Sequence, residues 1–347
     1  MNQTVKYLIS KFLKMVFTIW VVTTLIFVLI RMMPSNPIDR YIEDQMIVYG
    51  VSYEDASARA KNLFSIDLNE PIWKQYLSYM VSLMSLDFGT SLLSPGIPVM
   101  EIIASRLPWT LLTVGSGLLL SFVVGIVIGA LMAYKRDKWY EPVITGFCSF
   151  LSAIPDFLIA IFLIIIFGVI KFGGNTLIPI KMLRGTYSMG VKPGFNFAFI
   201  KDIFLHARLP ILTYAFSQLG IWVLMMKGSV TNSLNSDYVT IAKVRGLKGR
   251  TILTQYIGRN AMLPIVTEFA MRMGFILGGA LIIEQLFVYQ GIGLELLKAT
   301  NGRDYPLMQA IFFIMTCSIV ICNFIAELLY AILDPRIKLG KKGAKNV

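Results

Sequence analysis

The stretch from Asn235 to Pro264, NSDYVTIAKVRGLKGRTILTQYIGRNAMLP, separates two strongly apolar runs in the second half of the chain. One run ends near Lys227 and the next begins at about Ile265. Each is close to the roughly 20 residues that span a bilayer, so the stretch between them must lie in water or at the interface. Its basic residues outnumber its single acid, which is typical of cytoplasmic loops.

Residues 236–245 of this stretch have the pattern of a short helix. Ser236 or Asp237 can accept hydrogen bonds from the free N–H groups at its start. Residues at three- and four-residue spacing would share one side of the helix: Tyr238, Ile241, Ala242 and Arg245. Gly246 can end it in the left-handed conformation, which residues with a Cβ resist.

A second helical piece is predicted from Thr251 to about Asn260, and Pro264 fits the start of the next span. Because the short helix is held between two spans, it could sit in a partner's groove and move as a lever. An ordinary loop held to the lipid surface by its basic residues explains the same pattern. The residues alone favour neither interpretation.

Composition indicates a membrane protein. Hydrophobic residues make up 56% and charged residues 15% of the 347 residues, against about 25% charged in soluble domains. The net charge of +12 fits Lys and Arg on the cytoplasmic side of a membrane protein, and no aromatic and basic repeat indicates nucleic acid. Three cysteines lie in apolar runs without metal-ligand spacing, so neither a metal site nor a disulfide framework is predicted.

Six apolar runs are long enough to span a membrane. They cover about residues 13–32, 109–133, 143–170, 209–227, 266–288 and 307–332. Basic residues in the alternate loops and in both tails predict that the two termini are cytoplasmic. Residues 34–106 are then external and have nine acids and five bases, whereas the second external segment, 171–208, is basic and does not follow this rule.

The external segment has helical spacing over residues 53–64 and 71–84. In the second of these, Leu77, Val81 and Met84 fall on one side with Met80, which predicts amphipathic helices lying against the outer face. We therefore expect an all-α polytopic membrane protein. Its predicted parts are a tail and first span (1–33), an external segment (34–106), a five-helix core (107–335) with the loop 228–264, and a basic tail (336–347).

Several ionisable residues fall inside the predicted spans. Glu268 and Arg272 can pair across one helical turn, either at a path or gate through the membrane or beside lipid headgroups; the closeness of Pro264 favours the headgroups. Glu284 and Asp156 are better candidates for groups that face a path. Each could attract a cation or a peptide's amino terminus, and each could equally cap a broken helix or pair with a basic residue.

Catalytic and nucleotide-binding motifs are absent from the sequence. It contains no G-x-x-x-x-G-K-[ST] phosphate loop and no H-E-x-x-H pair, and its single histidine, His206, has no partner motif. We therefore expect no catalytic residue, no metal site and no cofactor in this chain. If ATP drives its function, another subunit must hydrolyse the ATP.

The stretch at 235–264 resembles a known loop. The matching residues are Asp237-Tyr238-Val239, Ala242, Gly246-Leu247, Arg259-Asn260-Ala261 and Leu263-Pro264. Their order resembles the EAA-type coupling loop of bacterial ABC importer permeases, most closely the oligopeptide/dipeptide/nickel branch. The resemblance extends over nearly the whole chain, through DLNEPIWKQYLSYM (67–80), LDFGTSL (86–92) and Asp304-Tyr305-Pro306. The chain departs from it at residues 240–242, where other branches have Glu-Ala-Ala, and at Tyr256, where this branch usually has His.

The resemblance implies a permease subunit that imports oligopeptides or dipeptides across the bacterial plasma membrane by alternating access. It implies that residues 237–250 dock on an ATPase subunit. The coupling residues carried over are Asp237, Tyr238, Ala242, Arg245, Gly246, Leu247, Arg259 and Asn260. The implied partners are a second similar permease, two ATPase subunits that hold ATP and magnesium, and an external solute-binding protein.

Other functions fit parts of the sequence. The same branch includes importers of nickel and of metal chelates, and no residue cluster here decides the cargo. A secondary transporter would require an internal repeat and paired broken helices with carboxylates at mid-depth. No repeat is visible in the sequence, and Asp156 is the single residue that supports the second requirement. A membrane scaffold without transport would leave the basic loop unexplained.

Overall fold

The computed structural model describes residues 3–32, 37–63, 70–135, 138–234, 236–278 and 281–333. The described chain is almost entirely helical, which confirms the predicted all-α polytopic fold. Its strands, β1 (Lys171–Phe172) and β2 (Asn175–Thr176), form one small antiparallel hairpin.

The first half of the chain contains four helices before the core and four within it. The first four are α1 (Gln3–Arg31), α2 (Pro37–Tyr49), α3 (Tyr53–Leu63) and α4 (Ile72–Ser85). One continuous run follows: α5 (Val99–Thr110), a π-helical turn (Leu111–Gly115) and α6 (Ser116–Tyr134). Next come α7 (Tyr140–Ala153) and α8 (Asp156–Ile164), which a π-helical turn extends (Ile165–Val169).

The second half begins with a 3-10 turn (Ile180–Met182) and the long helix α9 (Phe197–Leu234). The short helix α10 (Asp237–Val244) follows. Another continuous run contains α11 (Gly249–Thr251), a π-helical stretch (Ile252–Gly258), α12 (Arg259–Gly274) and a 3-10 turn (Phe275–Gly278). The last helices are α13 (Leu281–Leu286), α14 (Ile292–Gly302) and α15 (Tyr305–Leu333).

Five helical runs among the described residues are long and apolar enough to cross a membrane: Ile9–Arg31, Val99–Tyr134, Phe197–Leu234, Gly249–Gly278 and Tyr305–Leu329. A sixth crossing would consist of α7 and α8, which bend by 103° at the break between them. The apolar run predicted over 143–170 is therefore helical in two segments, as a helix broken at Pro155 requires. Pro155 explains the break, because the residue before a proline avoids the helical region, and Ile154 is extended (φ −79°, ψ 130°).

Two prolines lie deeper in helices than the sequence predicts. Pro210 is thirteen residues past the first residue of α9, and Pro264 lies inside α12, which continues the helical run from Gly249. The helices of the fourth and fifth predicted spans therefore begin well before these prolines. A proline removes one backbone hydrogen bond, and membrane helices tolerate it where neighbouring groups and local π-helical turns satisfy the freed carbonyl.

The core is centred where α6 and α9 cross. Glycines of α6 let the two backbones approach: a Cβ at Gly117 would lie 2.9 Å from the Ile211 carbonyl oxygen, and one at Gly125 would collide with Trp222. Trp222 is buried there against the rings of Phe122 and Phe269.

The two ends of the described chain also meet. α1 packs along α15, and Lys11 Nζ lies 2.7 Å from a carboxylate oxygen of Glu327. At the other end of α1, Ile30 enters a cluster with Leu307 and Ile311 of α15. The first and last helices are therefore neighbours.

The segment before the second span is helical where the spacing predicts it, in α3 and α4. In line with the amphipathic pattern over 71–84, α4 has a polar stripe along one side, formed by Lys74, Ser78, Ser82 and Ser85, and apolar side chains on the rest of its surface. Met80 and Leu83 face the protein, whereas Leu77, Val81 and Met84 are exposed.

Candidate functional site

The start of α10 follows the sequence prediction in position and differs from it in detail. Ser236 has the extended conformation of an N-cap residue (φ −86°, ψ 146°) and its carbonyl accepts the Val239 N–H at 3.0 Å. Its side chain makes no capping hydrogen bond, so that part of the expectation was wrong. Asp237 lies in the first turn, where its negative charge interacts favourably with the helix dipole.

The end of α10 is a Schellman motif. Gly246 has φ +72°, and its N–H donates to the Lys243 carbonyl at 2.9 Å. The Leu247 N–H donates to the Ala242 carbonyl at 3.3 Å. These two bonds and the left-handed glycine define the motif and confirm that Gly246 ends the helix.

One side of α10 belongs to the core. Val239 and Ala242 are buried, and Tyr238 and Leu247 pack beside them. The same cluster contains residues from the flanking spans: Val230, Ile257, Ala261 and Ile265. Ile241 and Arg245 were expected on this side with Ala242 and are instead exposed, because the buried arc is centred toward Val239.

The opposite side of α10 is open to solvent and mixes apolar and basic groups. We call it the coupling face; it consists of Asp237, Ile241, Lys243, Val244 and Arg245, all exposed. The Val244 side chain is 84% exposed although it is apolar. Of the other coupling residues inferred from the sequence, Gly246, Arg259 and Asn260 are exposed as well, and Ala242 is not.

A second group of polar residues lies between the spans. We call it the polar cluster; it consists of Asp156, Ser217, Gln218, Glu268 and Arg272. Arg272 Nε donates to Glu268 Oε1 at 2.8 Å, and Arg272 Nη1 donates to Gln218 Oε1 at 2.6 Å. The Arg272 guanidinium also lies 5.5 Å from the centre of the Trp222 ring. The predicted pairing of Glu268 with Arg272 is confirmed.

The polar cluster lies well away along α9 from a charged pair. Lys227 of α9 pairs with Glu141 at the start of α7 and donates to Thr145 Oγ1 at 2.9 Å. A lysine at this place suits the interface between membrane and water. Gln218 lies nine residues before Lys227 on α9, or about 13 Å at a rise of 1.5 Å per residue. That is close to half of the roughly 30 Å hydrocarbon thickness.

Asp156 joins this cluster at the broken helix. It is the first residue of α8, is exposed, and lies beside Ser217 of α9. The Gln218 Nε2 donates to Ser217 Oγ at 3.3 Å. Residues of α8, α9 and α12 thus form one connected polar strip.

Glu284 lies elsewhere, in an enclosed site that is 2% exposed. Its Oε1 accepts the Thr110 hydroxyl at 2.7 Å, and its Oε2 accepts the Leu294 N–H at 2.9 Å. Gly291 packs so closely that a Cβ there would collide with this carboxylate. The structure therefore does not bring Glu284 together with Asp156 and Arg272.

Comparison with known proteins identifies the family. The model of the binding-protein-dependent transport system inner membrane component matches residues 125–339. The chain belongs to this family. The permease is 30% identical to the oligopeptide transport system permease protein AppB of Bacillus subtilis (strain 168), over 96% of this chain and 99% of the relative. It is 28% identical to the dipeptide transport system permease protein DppB of the same organism, over 97% and 99%, and 28% identical to DppB of Escherichia coli (strain K12), over 92% and 95%.

Sequence reasoning missed several residues of the permease that the structure places in these sites. Val244 was not singled out, although this valine beside Lys243 and Arg245 is the more exposed of the two large apolar residues of the coupling face. Gln218 was missed because its partner Arg272 is 54 residues away in the chain. A polar residue in the apolar run 209–227 was the available signal.

Asp304 of the permease is a further residue whose contacts the sequence did not reveal. It is fully buried, and one oxygen, Oδ2, accepts the Ser91 hydroxyl at 2.5 Å and the N–H groups of Leu92 and Leu93 at 3.0 and 3.1 Å. Its Oδ1 accepts the Leu307 N–H at 3.2 Å and so caps α15. Through these hydrogen bonds the carboxylate connects the segment before α5 to the start of α15.

Proposed function

We propose that the permease forms half of the translocation path of an ATP-driven importer of oligopeptides or dipeptides. Its partners in this proposal are a second homologous permease, two ATPase subunits that bind ATP and magnesium, and an extracytoplasmic solute-binding protein. The permease itself performs no covalent chemistry. The oligopeptide and dipeptide permeases that match over nearly their whole length support this cargo.

The observation that carries the proposal is the two-sided construction of α10. The coupling face is exposed and contains apolar and basic side chains that a groove on an ATPase subunit can bind. The other side is part of the core between the flanking spans. A force on Val244 or Arg245 therefore acts on packed residues of α9 and α12.

Movement can pass from α10 to the spans through fixed contacts. The Ser229 hydroxyl of α9 donates to the Ala261 carbonyl of α12 at 2.8 Å, next to the buried side of α10. Further along the same helices, Arg272 and Gln218 form the second bond between them. ATP-driven closure of the ATPase dimer would move α10, α9 and α12 together and shift the permease between its two arrangements.

The polar cluster lines the path in this proposal. Charged side chains at mid-depth almost always face a water-filled cavity or another part of the protein, because lipid cannot solvate them. Asp156 is exposed on the permease and Arg272 partly so, and both lie at this depth. The depth favours a path position for Arg272 over one beside lipid headgroups. We assign Glu284 to structure, because its carboxylate is enclosed by Thr110 and the turn at residues 291–294.

We propose that both termini lie in the cytoplasm with α10. The basic residues of the coupling face and of both tails then occupy one side of the bacterial plasma membrane. The acidic segment 34–106 would be extracytoplasmic, where the solute-binding protein approaches.

Co-purification from the native membrane tests the assembly. The tagged permease should bring down a second permease and an ATPase, identified by mass. The ATPase activity of the complex should rise when the binding protein and a peptide are added together. A lone chain that takes up solute by an ion gradient after reconstitution would overturn the proposal.

A further inference from the structure

Helix α4 carries apolar side chains on both faces. Tyr76, Tyr79 and Leu83 turn toward the rest of the protein. The outward face consists of Trp73, Leu77, Val81 and Met84, all exposed. Lys74 is the one charged residue of the helix sequence IWKQYLSYMVSLMS. The polar residues of α4 lie along a separate stripe formed by Lys74, Gln75, Ser78, Ser82 and Ser85. The exposed apolar side chains outside this stripe need a covering of protein or lipid.

Contacts with α1 show how deep α4 lies. The hydroxyls of Tyr76 and Thr24 are hydrogen-bonded at 2.8 Å, and the Phe27 ring lies 5.4 Å from the rings of both Tyr76 and Tyr79. Thr24 and Phe27 come seven and four residues before Arg31, the last residue of this span. At 1.5 Å per residue, α4 therefore touches α1 about 6 to 10 Å below the end of the span.

Contacts with α15 also fall inside a candidate span. Phe88, just after α4, lies 5.9 Å from the ring of Phe313. Phe313 is eight residues into the last candidate span, which begins at Tyr305, or about 12 Å along it. Tyr79 also lies close to Cys317, further along α15. Both neighbouring spans thus place α4 below the membrane surface.

The N-terminal end of α4 has the features of a membrane interface. The Lys74 ammonium lies 5.8 Å from the centre of the Trp73 ring. Tryptophan is enriched at headgroup level, and lysine can extend from there to water. On α1, the span that α4 contacts, Leu25, Val28 and Leu29 are exposed apolar side chains as well.

We propose that α4 is immersed in the bilayer leaflet at the C-terminal end of α1, with its outward face against lipid acyl chains. The helix does not cross the membrane, since its fourteen residues are fewer than the roughly 20 that a span needs. Helix α4 therefore increases the cross-section of the permease within one leaflet of the bilayer. The occupant of its outward face is lipid because α4 and Phe88 contact α1 and α15 within their candidate membrane spans, where an exposed apolar face meets acyl chains.

Nitroxide scanning of the assembled importer in lipid bilayers tests this proposal. Single cysteines at Leu77→Cys and Val81→Cys would be introduced after Cys148, Cys317 and Cys322 are replaced by alanine in a background that retains peptide uptake. Leu29→Cys on α1 serves as the lipid-exposed control. Glu54→Cys, at an exposed position in the polar helix α3, serves as the water-exposed control.

Collision rates with oxygen and with a water-soluble nickel chelate distinguish the outcomes. We expect the ratio of oxygen to nickel collisions at residues 77 and 81 to resemble that at residue 29 and to exceed that at residue 54 several-fold. A ratio like that of residue 54 would overturn the proposal. Protection from both reagents would also overturn it and indicate the second permease as the occupant. Nickel access that the binding protein blocks would overturn it in favour of a docking surface.

Discussion

Arg272 Nη1 donates a 2.6 Å hydrogen bond to Gln218 Oε1, and this bond joins the helix after the coupling helix to the helix before it. The guanidinium is held from a second side by Glu268 and from a third by the Trp222 ring. A mid-membrane arginine with these partners has a fixed position relative to both helices. If α9 and α12 move relative to each other, this bond must break or its two side chains must move with the helices.

Replacing Gln218 should weaken the junction of α9 and α12. The Gln218→Leu variant removes the acceptor of one guanidinium N–H of the partly exposed Arg272, and the net loss of such a hydrogen bond is about 0.5–1.5 kcal/mol. We expect a lower thermal transition of the purified complex and reduced peptide uptake. Gln218→Glu keeps an acceptor oxygen and should retain more of both. Equal values for Gln218→Leu and the wild type would show that the bond contributes nothing.

Asp156 should be reachable from water if it lines the path. In a background without native cysteines, Asp156→Cys should react with a charged thiol reagent, and the rate should change between the resting and the ATP-trapped states. Phe162 lies on the same helix and is exposed but apolar, so Phe162→Cys in lipid should not react. Similar reaction rates at the two positions would contradict a polar path beside α8.

Val244 should be required for coupling and dispensable for folding. Its side chain is 84% exposed, so Val244→Asp should leave the amount of permease in the membrane unchanged. We expect the variant to lose binding-protein-stimulated ATP hydrolysis and uptake, because the charge would be buried unpaired in the ATPase groove. Val244→Ile keeps the apolar contact and should couple normally. Full uptake by Val244→Asp would exclude Val244 from the interface.

Gly246 tests the conformation at the end of α10. Its φ of +72° disfavours residues with a Cβ, although no atom lies within 4 Å of the position a Cβ would take. A left-handed residue other than glycine costs roughly 1–2 kcal/mol, and asparagine tolerates this region better than valine. Uptake should therefore fall in the order wild type, Gly246→Asn, Gly246→Val. An equal loss in both variants would indicate that side-chain bulk at the ATPase surface decides, and not backbone strain.

The sequence predicts local features of the permease well and distant contacts poorly. Gly246 ends α10 as expected because helix termination depends on neighbouring residues, and Glu268 pairs with Arg272 because four residues make one helical turn. The enclosure of Glu284 by Thr110 could not be predicted, since 174 residues separate them. The helical spacing of α4 was correct, but spacing alone does not reveal which of its apolar side chains the neighbouring helices cover.

Asp304 should contribute to stability through the four donors around it. Asp304→Asn removes the charge and places an amide N–H₂ beside groups that donate, so at least one buried donor loses its acceptor. We expect a clear fall in the thermal transition and in the yield of the permease. Asp87→Asn is the matched control, because the exposed Asp87 accepts only the Gly89 N–H among the described bonds. Unchanged stability of Asp304→Asn would contradict the role of this carboxylate.

The pairing of α1 with α15 determines when the permease can finish folding during synthesis. Lys11 is synthesised 316 residues before Glu327, yet the two are partners in the folded chain. Until α15 is inserted, the cluster around Ile30 lacks Leu307 and Ile311. Helix α1 must therefore remain in the membrane without one of its neighbours until α15 has been made, and a chain cut short before α15 leaves that side of α1 without its partner.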